Sequence, residues 1–190
     1  MRQIFFAWTY SFFLLFGQGN PVQSFYNLIH QDHIVRMEIE FFQKQFENIY
    51  KSSGSFYLLR KKHYVFDATS FQMIVNDSLV TTINHETKQV IYSSIVGTQV
   101  SILDILSGHN KYIKFSDELI HNYINNFSIP DLGYIGSFEF DQNTGLLKMI
   151  KLNIDDNQNV SIKIKSIKKI KDYTVPNFNL KKFEIIDLRG

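Results

Sequence analysis

The feature that most limits what this chain can become is a period of two. Met37, Ile39 and Phe41 alternate with Glu38 and Glu40, so successive side chains fall on an apolar and a polar face, as in a half-buried strand. The pattern returns with polar turns roughly every 8–12 residues, the spacing of an antiparallel meander, sandwich or barrel. Strands are expected over residues 55–61, after a turn at Ser52-Ser53-Gly54, and then over 64–66, 71–75, 79–83 and 89–93. They resume over 112–115, 123–129, 135–141, 146–154, 160–171 and 178–186, a tally of about eleven. Phe at 18 and Tyr at 10, with Ala nearly absent, lean the same way.

On residues 55–61, Phe56, Leu58 and Arg60 share one face while Tyr57 and Leu59 share the other, which implies cover on both sides. One interruption is helical. Val100, Ile102, Leu103, Ile105 and Leu106 cluster at helical spacing and are closed by Ser107-Gly108, where glycine suits the left-handed position after a helix end. A short apolar helix in a strand-rich chain must cover something. A brief helical start is also expected over 27–33. No stretch is rich enough in Gly, Pro or Ser to divide the chain into domains.

The first residues read as an export signal. Arg2 supplies a positive start, residues 4–16 an apolar run, and Val22-Gln23-Ser24 the small-residue spacing that signal peptidase accepts. The run falls short of the ~20 residues a membrane helix needs. Residues 1–24 are therefore expected to be a cleaved signal peptide and 25–190 one exported, periplasmic domain. The chain has no Cys, so a packed core rather than disulfides must hold it together. Thiolate zinc sites, redox thiols and a lipidated cysteine are excluded with it.

Little in the sequence nominates chemistry. Lys plus Arg at 20 against Asp plus Glu at 18 gives a formal charge of +2 and no electrostatic case for nucleic acid. His30 and His33 stand at i, i+3 but lack a third ligand nearby. Asp155-Asp156 sit in a turn full of Asn and Gln. The lysines Lys163, Lys165, Lys169 and Lys171 read as the solvated face of a strand. No nucleophile elbow, zinc helix, phosphate loop or calcium loop is present. The residues themselves leave two architectures open: a dense sandwich, or a curved sheet around an apolar cavity with the Leu103 helix over its mouth.

Several short motifs then stand in a telling order. Phe41-Phe42-Gln43 precedes Ser53-Gly54-Ser55-Phe56-Tyr57-Leu58-Leu59-Arg60. Gln72-Met73-Ile74-Val75-Asn76-Asp77, Lys88-Gln89-Val90, Ser101 to Gly108 (SILDILSG), Thr144-Gly145-Leu146 and the closing 178–187 follow. In that order they resemble the periplasmic lipoprotein carriers, the LolA-like proteins. Departures are Lys61 for the proline after the arginine, Ser78 for a glycine, Phe66 and Thr82 at or near tryptophan positions, and Lys181-Lys182-Phe183 for Pro-Pro-Gly. The leading helix is compressed to the residues around Leu28.

The resemblance implies an all-β fold, an unclosed antiparallel barrel of about eleven strands with small helices as a lid over an apolar cavity. It implies a monomeric, non-enzymatic periplasmic carrier without cofactor or metal. Such a carrier binds the acyl chains of lipoproteins and ferries them from inner to outer membrane, between an inner-membrane transporter and an outer-membrane acceptor. A carrier of another lipid or glycolipid, or an envelope interaction domain without ligand, are the alternatives. Strand parity puts Phe41, Phe56, Leu58, Phe71, Met73 and Val75 on the cavity wall, and the short helix brings Leu103 and Leu106 to it. The family pattern adds Arg60 as a cavity-side donor to the lid.

Overall fold

Alternation alone fixes which face each strand buries, but the pairing order decides what those faces enclose. The computed structural model describes residues 20–31, 33–60, 62–95, 100–108, 111–116, 123–175 and 180–189. Arg2 and the apolar run 4–16 lie outside the described residues. The first element is a helix, α1 (Pro21–Ile29). Asn20 caps it by accepting a hydrogen bond from the Val22 N–H, and Pro21 occupies the first helical position, where a missing N–H costs nothing. The helix thus starts earlier than the expected 27–33, and Ser24 lies inside it.

Two meanders follow. The first runs β1 (Ile34–Gln45), β2 (Asn48–Arg60), β3 (His63–Ala68), β4 (Phe71–Asn76), β5 (Leu79–Asn84) and β6 (Gln89–Ser94). After α2 (Ile102–Leu106) comes the second: β7 (Lys114–Phe115), β8 (Ile124–Ile129), β9 (Tyr134–Phe140), β10 (Leu147–Asp155) and β11 (Gln158–Ile170). Antiparallel pairing of β1 with β11 joins them, and β12 (Glu184–Asp187) adds to β6 in parallel. The result is one unclosed twelve-stranded sheet in the order β12-β6-β5-β4-β3-β2-β1-β11-β10-β9-β8-β7. Twelve strands among the described residues agree with the expected tally of about eleven.

The expected turn at Ser52-Ser53-Gly54 is corrected. These residues lie within β2, and the hairpin turns at Phe46-Glu47, with Phe46 at φ 55. Gly54 is there for close approach, because a Cβ on it would collide with the Asp67 carbonyl of β3. Lys163, Lys165, Lys169 and Lys171 are exposed as expected, but they do not share one face. A register shift opposite Glu38 and Ile39 leaves Lys163 opposite Glu40 and Lys169 opposite Val35, where its Nζ donates to Gln31 Oε1, just past α1, at 2.7 Å.

The inner face of the sheet carries Val35, Met37 and Ile39 from β1, Phe56 and Leu58 from β2, Tyr64 and Phe66 from β3, and Ile150 and Ile162 from β10 and β11, all buried. Against it pack Val22, Phe25, Tyr26 and Ile29 of α1 and Ile102, Leu103, Ile105 and Leu106 of α2. The outer face of β3–β6 is buried as well, at Val65, Ile83 and Val90. The chain after β11 lies against this outer side: Tyr173 stacks on Tyr57 at 3.9 Å, and Phe183 meets His85 edge-on.

Candidate functional site

The site is built by three neighbouring strands and the short helix above them. Cross-strand register sets Val75 beside Tyr64, Met73 beside Phe66, and Val80 beside Val75, so Tyr64, Met73, Val75 and Val80 all face inward. Helix α2 packs on β10 and β11 and brings its N-terminal end beside these strands, where a capping box fixes its start. Asp104 N–H donates to Ser101 Oγ at 3.1 Å, while Ser101 N–H and Oγ each donate to Asp104 Oδ2 at 2.8 Å. The other carboxylate oxygen, Oδ1, accepts from the Tyr64 hydroxyl at 2.8 Å. Helix and sheet are thereby tied through one buried side-chain pair. Burial, with the adjacent Asp104 charge, pushes the Tyr64 phenol well above its ordinary value, so it stays a donor.

Between this pair and the strands lies a cavity of about 330 Å³. Its apolar wall is Met73, Val75, Val80, Ile95, Val100 and Leu132; its polar side is Tyr64, Tyr134, Asp104 and the serines Ser93, Ser94 and Ser101. That volume falls in the range of small-ligand pockets, apolar with a few convergent polar groups. The two helices are also tied to each other. Tyr26 Oη donates to the Ile105 carbonyl at 2.9 Å, and the His30 Nε2–H to the Ser107 carbonyl at 2.8 Å. Among the described residues no group of three or more His, Asp or Glu is placed to hold a metal ion.

No family model matches the chain, and no curated protein matches it. Solved structures do. A LolA superfamily protein from Nitrosomonas europaea superposes with a TM-score of 0.54 at 9% identity, over 81% of this chain and 93% of that one. The chain has a LolA-like fold. An uncharacterized conserved protein from Thermus thermophilus superposes with a TM-score of 0.53 at 7% identity, over 87% of this chain and 96% of the other.

Within this LolA-like cup the expected residues separate into three groups. Met73 and Val75 line the cavity. Phe56, Leu58, Leu103 and Leu106 are packed away in the core between sheet and helices, and Phe71 sits half-buried against Phe66, edge-on at 5.6 Å. Phe41, farther along β1, is half-buried and borders a groove of about 520 Å³ shared with Phe42 and Met149. Arg60 is elsewhere. A register shift after Leu58 sets it opposite His63, and it is exposed. It lines a cleft of about 530 Å³ with Ile29 and His30 at the end of α1, and its charge adds to partial burial in holding His63 below the usual imidazole value. Among the described residues, the side-chain bonds that tie the helices together and to the inner face come from Tyr26, His30 and Tyr64.

Sequence reading did not single out Tyr64, Val80, Asp104 or Tyr134. One signal was available. Ser101-Ile102-Leu103-Asp104 before an apolar run is the serine-to-acid spacing of a helix start, which places a carboxylate at the mouth of whatever the helix covers.

Proposed function

We propose that this protein is an exported carrier that shelters an acyl chain in the space between its inner sheet face and α2, and performs no chemistry on it. The observation that carries the reading is the apolar cavity under a helix that only hydrogen bonds and packing hold in place. An acyl chain of roughly 16 carbons is worth on the order of 12 kcal/mol in a membrane, at ~0.8 kcal/mol per methylene. A carrier must offer comparable burial and still let go. Here the lid residues Phe25, Ile29, Leu103 and Leu106 occupy the cup themselves. A chain that displaces them exchanges one apolar burial for another, each lid side chain being worth about 1.5–3 kcal/mol. Loading and release then stay near balance.

The cargo we propose is the acylated end of a lipoprotein moving from inner to outer membrane, with other lipids as the alternative class. Export requires the leading segment to be recognised and removed, and we place its end before Asn20, so that α1 keeps its cap. Residues 20–190 then form the carrier.

A neutral fluorescent probe, N-phenyl-1-naphthylamine, tests the cavity. Binding in the micromolar range is expected, and Val80→Trp, which fills the space, should weaken it by about tenfold or more. Native mass spectrometry of protein from its own envelope fraction should carry a co-purified lipid mass. Absence of probe binding, with no such mass, would transfer the case to a ligand-free interaction domain.

A further inference from the structure

Resting on the carrier reading, we infer that the cavity under α2 selects an amphiphile whose head carries N–H or O–H donors and no negative charge. The sorting element is Asp104. It is 6% exposed and, among the described residues that line the cavity, is the one Asp, Glu, Lys, Arg or His side chain. Its Oδ2 already accepts two hydrogen bonds and its Oδ1 one. A carboxylate offers about four acceptor positions, so one is left on Oδ1 for a ligand.

The two hydroxyls beside Asp104 are committed to it, while those of Ser93, Ser94 and Tyr134 line the cavity farther along as neutral groups. The Tyr64 hydroxyl and the Ser101 hydroxyl both point their hydrogens at Asp104. A carboxylate or sulfate head placed beside Asp104 therefore finds the nearest two hydroxyls already donating and meets a second negative charge. A head that supplies donors completes the Asp104 shell, and one that is cationic also finds the rings of Tyr64 and Tyr134 on the cavity wall. The tail has Met73, Val75 and Val80 on the opposite side. The cleft at Arg60 and Lys171 has the reverse character, with cations on its wall. These two openings are thus of opposite sign, and the one beside α2 has the more apolar lining of the pair. The same head chemistry can come from a lipid amine or from the amide groups of an acylated peptide.

Competition against bound N-phenyl-1-naphthylamine, with the whole protein and three twelve-carbon amphiphiles below their micelle concentrations, decides the matter. Dodecylamine stands for a lipid amine, N-dodecanoyl-glycinamide for an acylated peptide, and dodecanoate for the anionic head. The two donor heads should compete at least about tenfold better than dodecanoate. Asp104→Asn should erase most of that preference. Because this change also touches the helix cap, Ser93→Lys is the second variant: it adds a cation to the opposite wall, leaves the cap alone, and should favour dodecanoate. If dodecanoate competes as well as dodecylamine in the unmodified protein, the inference is wrong while the carrier reading stands. The inference is equally wrong if the preference survives both variants unchanged. If the probe binds nowhere and nothing competes, the carrier reading itself fails.

Discussion

Tyr64 and Arg60 make opposite claims on the same lid. Tyr64 is 1% exposed and donates to a carboxylate that is itself buried; Arg60 is exposed and faces His63 across a register shift. Tyr64→Phe leaves Asp104 Oδ1 without its partner, a loss of about 1–3 kcal/mol. Arg60→Leu, at the surface, should change stability by no more than about 0.5 kcal/mol. Urea unfolding of the two variants separates them, and a larger loss at Arg60 would restore the arginine as the latch. A pH effect belongs to the same residues. Burial raises the pKa of Tyr26 and Tyr64 above the ordinary phenol value, and that of the less buried Tyr173 to about 12. The folded chain therefore keeps three protons that the unfolded chain gives up above pH ~10. Their contribution is fully present below that pH and is lost as pH rises beyond it, at about 1.4 kcal/mol per pH unit for each of the two buried phenols and less for Tyr173. Unfolding midpoints measured from pH 9 to 11 should fall accordingly, with a slope lower by about a third to a half in Tyr64→Phe. A flat profile would mean that none of these phenols is sequestered.

At the scale of elements, α1 gives the sharpest prediction. A chain beginning at Phe25 loses the Asn20 cap and Val22, which is 1% exposed in the helix. Together these are worth roughly 3 kcal/mol, about 1 for the cap and about 2 for the valine. Thermal melts should therefore place that chain well below one beginning at Asn20, and the processed protein should start at or before Asn20 by N-terminal sequencing. Equal stability of the two would favour a boundary at Ser24. Most strands were legible because their alternation is strict, as in Met37-Glu38-Ile39-Glu40. Elements were misread where a residue has two uses. Gly54 suits a turn but serves a close crossing with Asp67, and Asn20-Pro21, a helix start, sits inside what composition presents as a leader. The bulges after Leu58 and opposite Glu38 are invisible to parity, and each one changes which residue a charged side chain stands opposite. Parity therefore sets Met73 and Val75 on the inner face, where they line the cavity, but does not foresee that Arg60 pairs with His63 across a bulge. Tyr64 and Asp104 lie forty positions apart, and nothing local announces their bond.

On the scale of the whole molecule, the two helices act as one plug because Tyr26 and His30 bond to α2 carbonyls. Removing both donors, as Tyr26→Phe with His30→Leu, should let the plug part from the cup more often. Stopped-flow mixing with the neutral probe should then show faster entry than in the unmodified protein; an unchanged rate would mean that entry does not wait for the helices. The β1–β11 seam has a consequence of another kind. It joins Gln45 to Gln158 and Ile34 to Ile170, so the two halves of the sheet meet only after nearly the whole chain has been made. Pairings so distant in sequence fold slowly, since the loop between them must be closed before any contact rewards it. The β6 edge waits longer still, because its partner β12 consists of Glu184–Asp187. A newly made chain therefore spends its first moments with open strand edges and an unfilled apolar face, the condition in which it is both easiest to keep unfolded and most prone to aggregate.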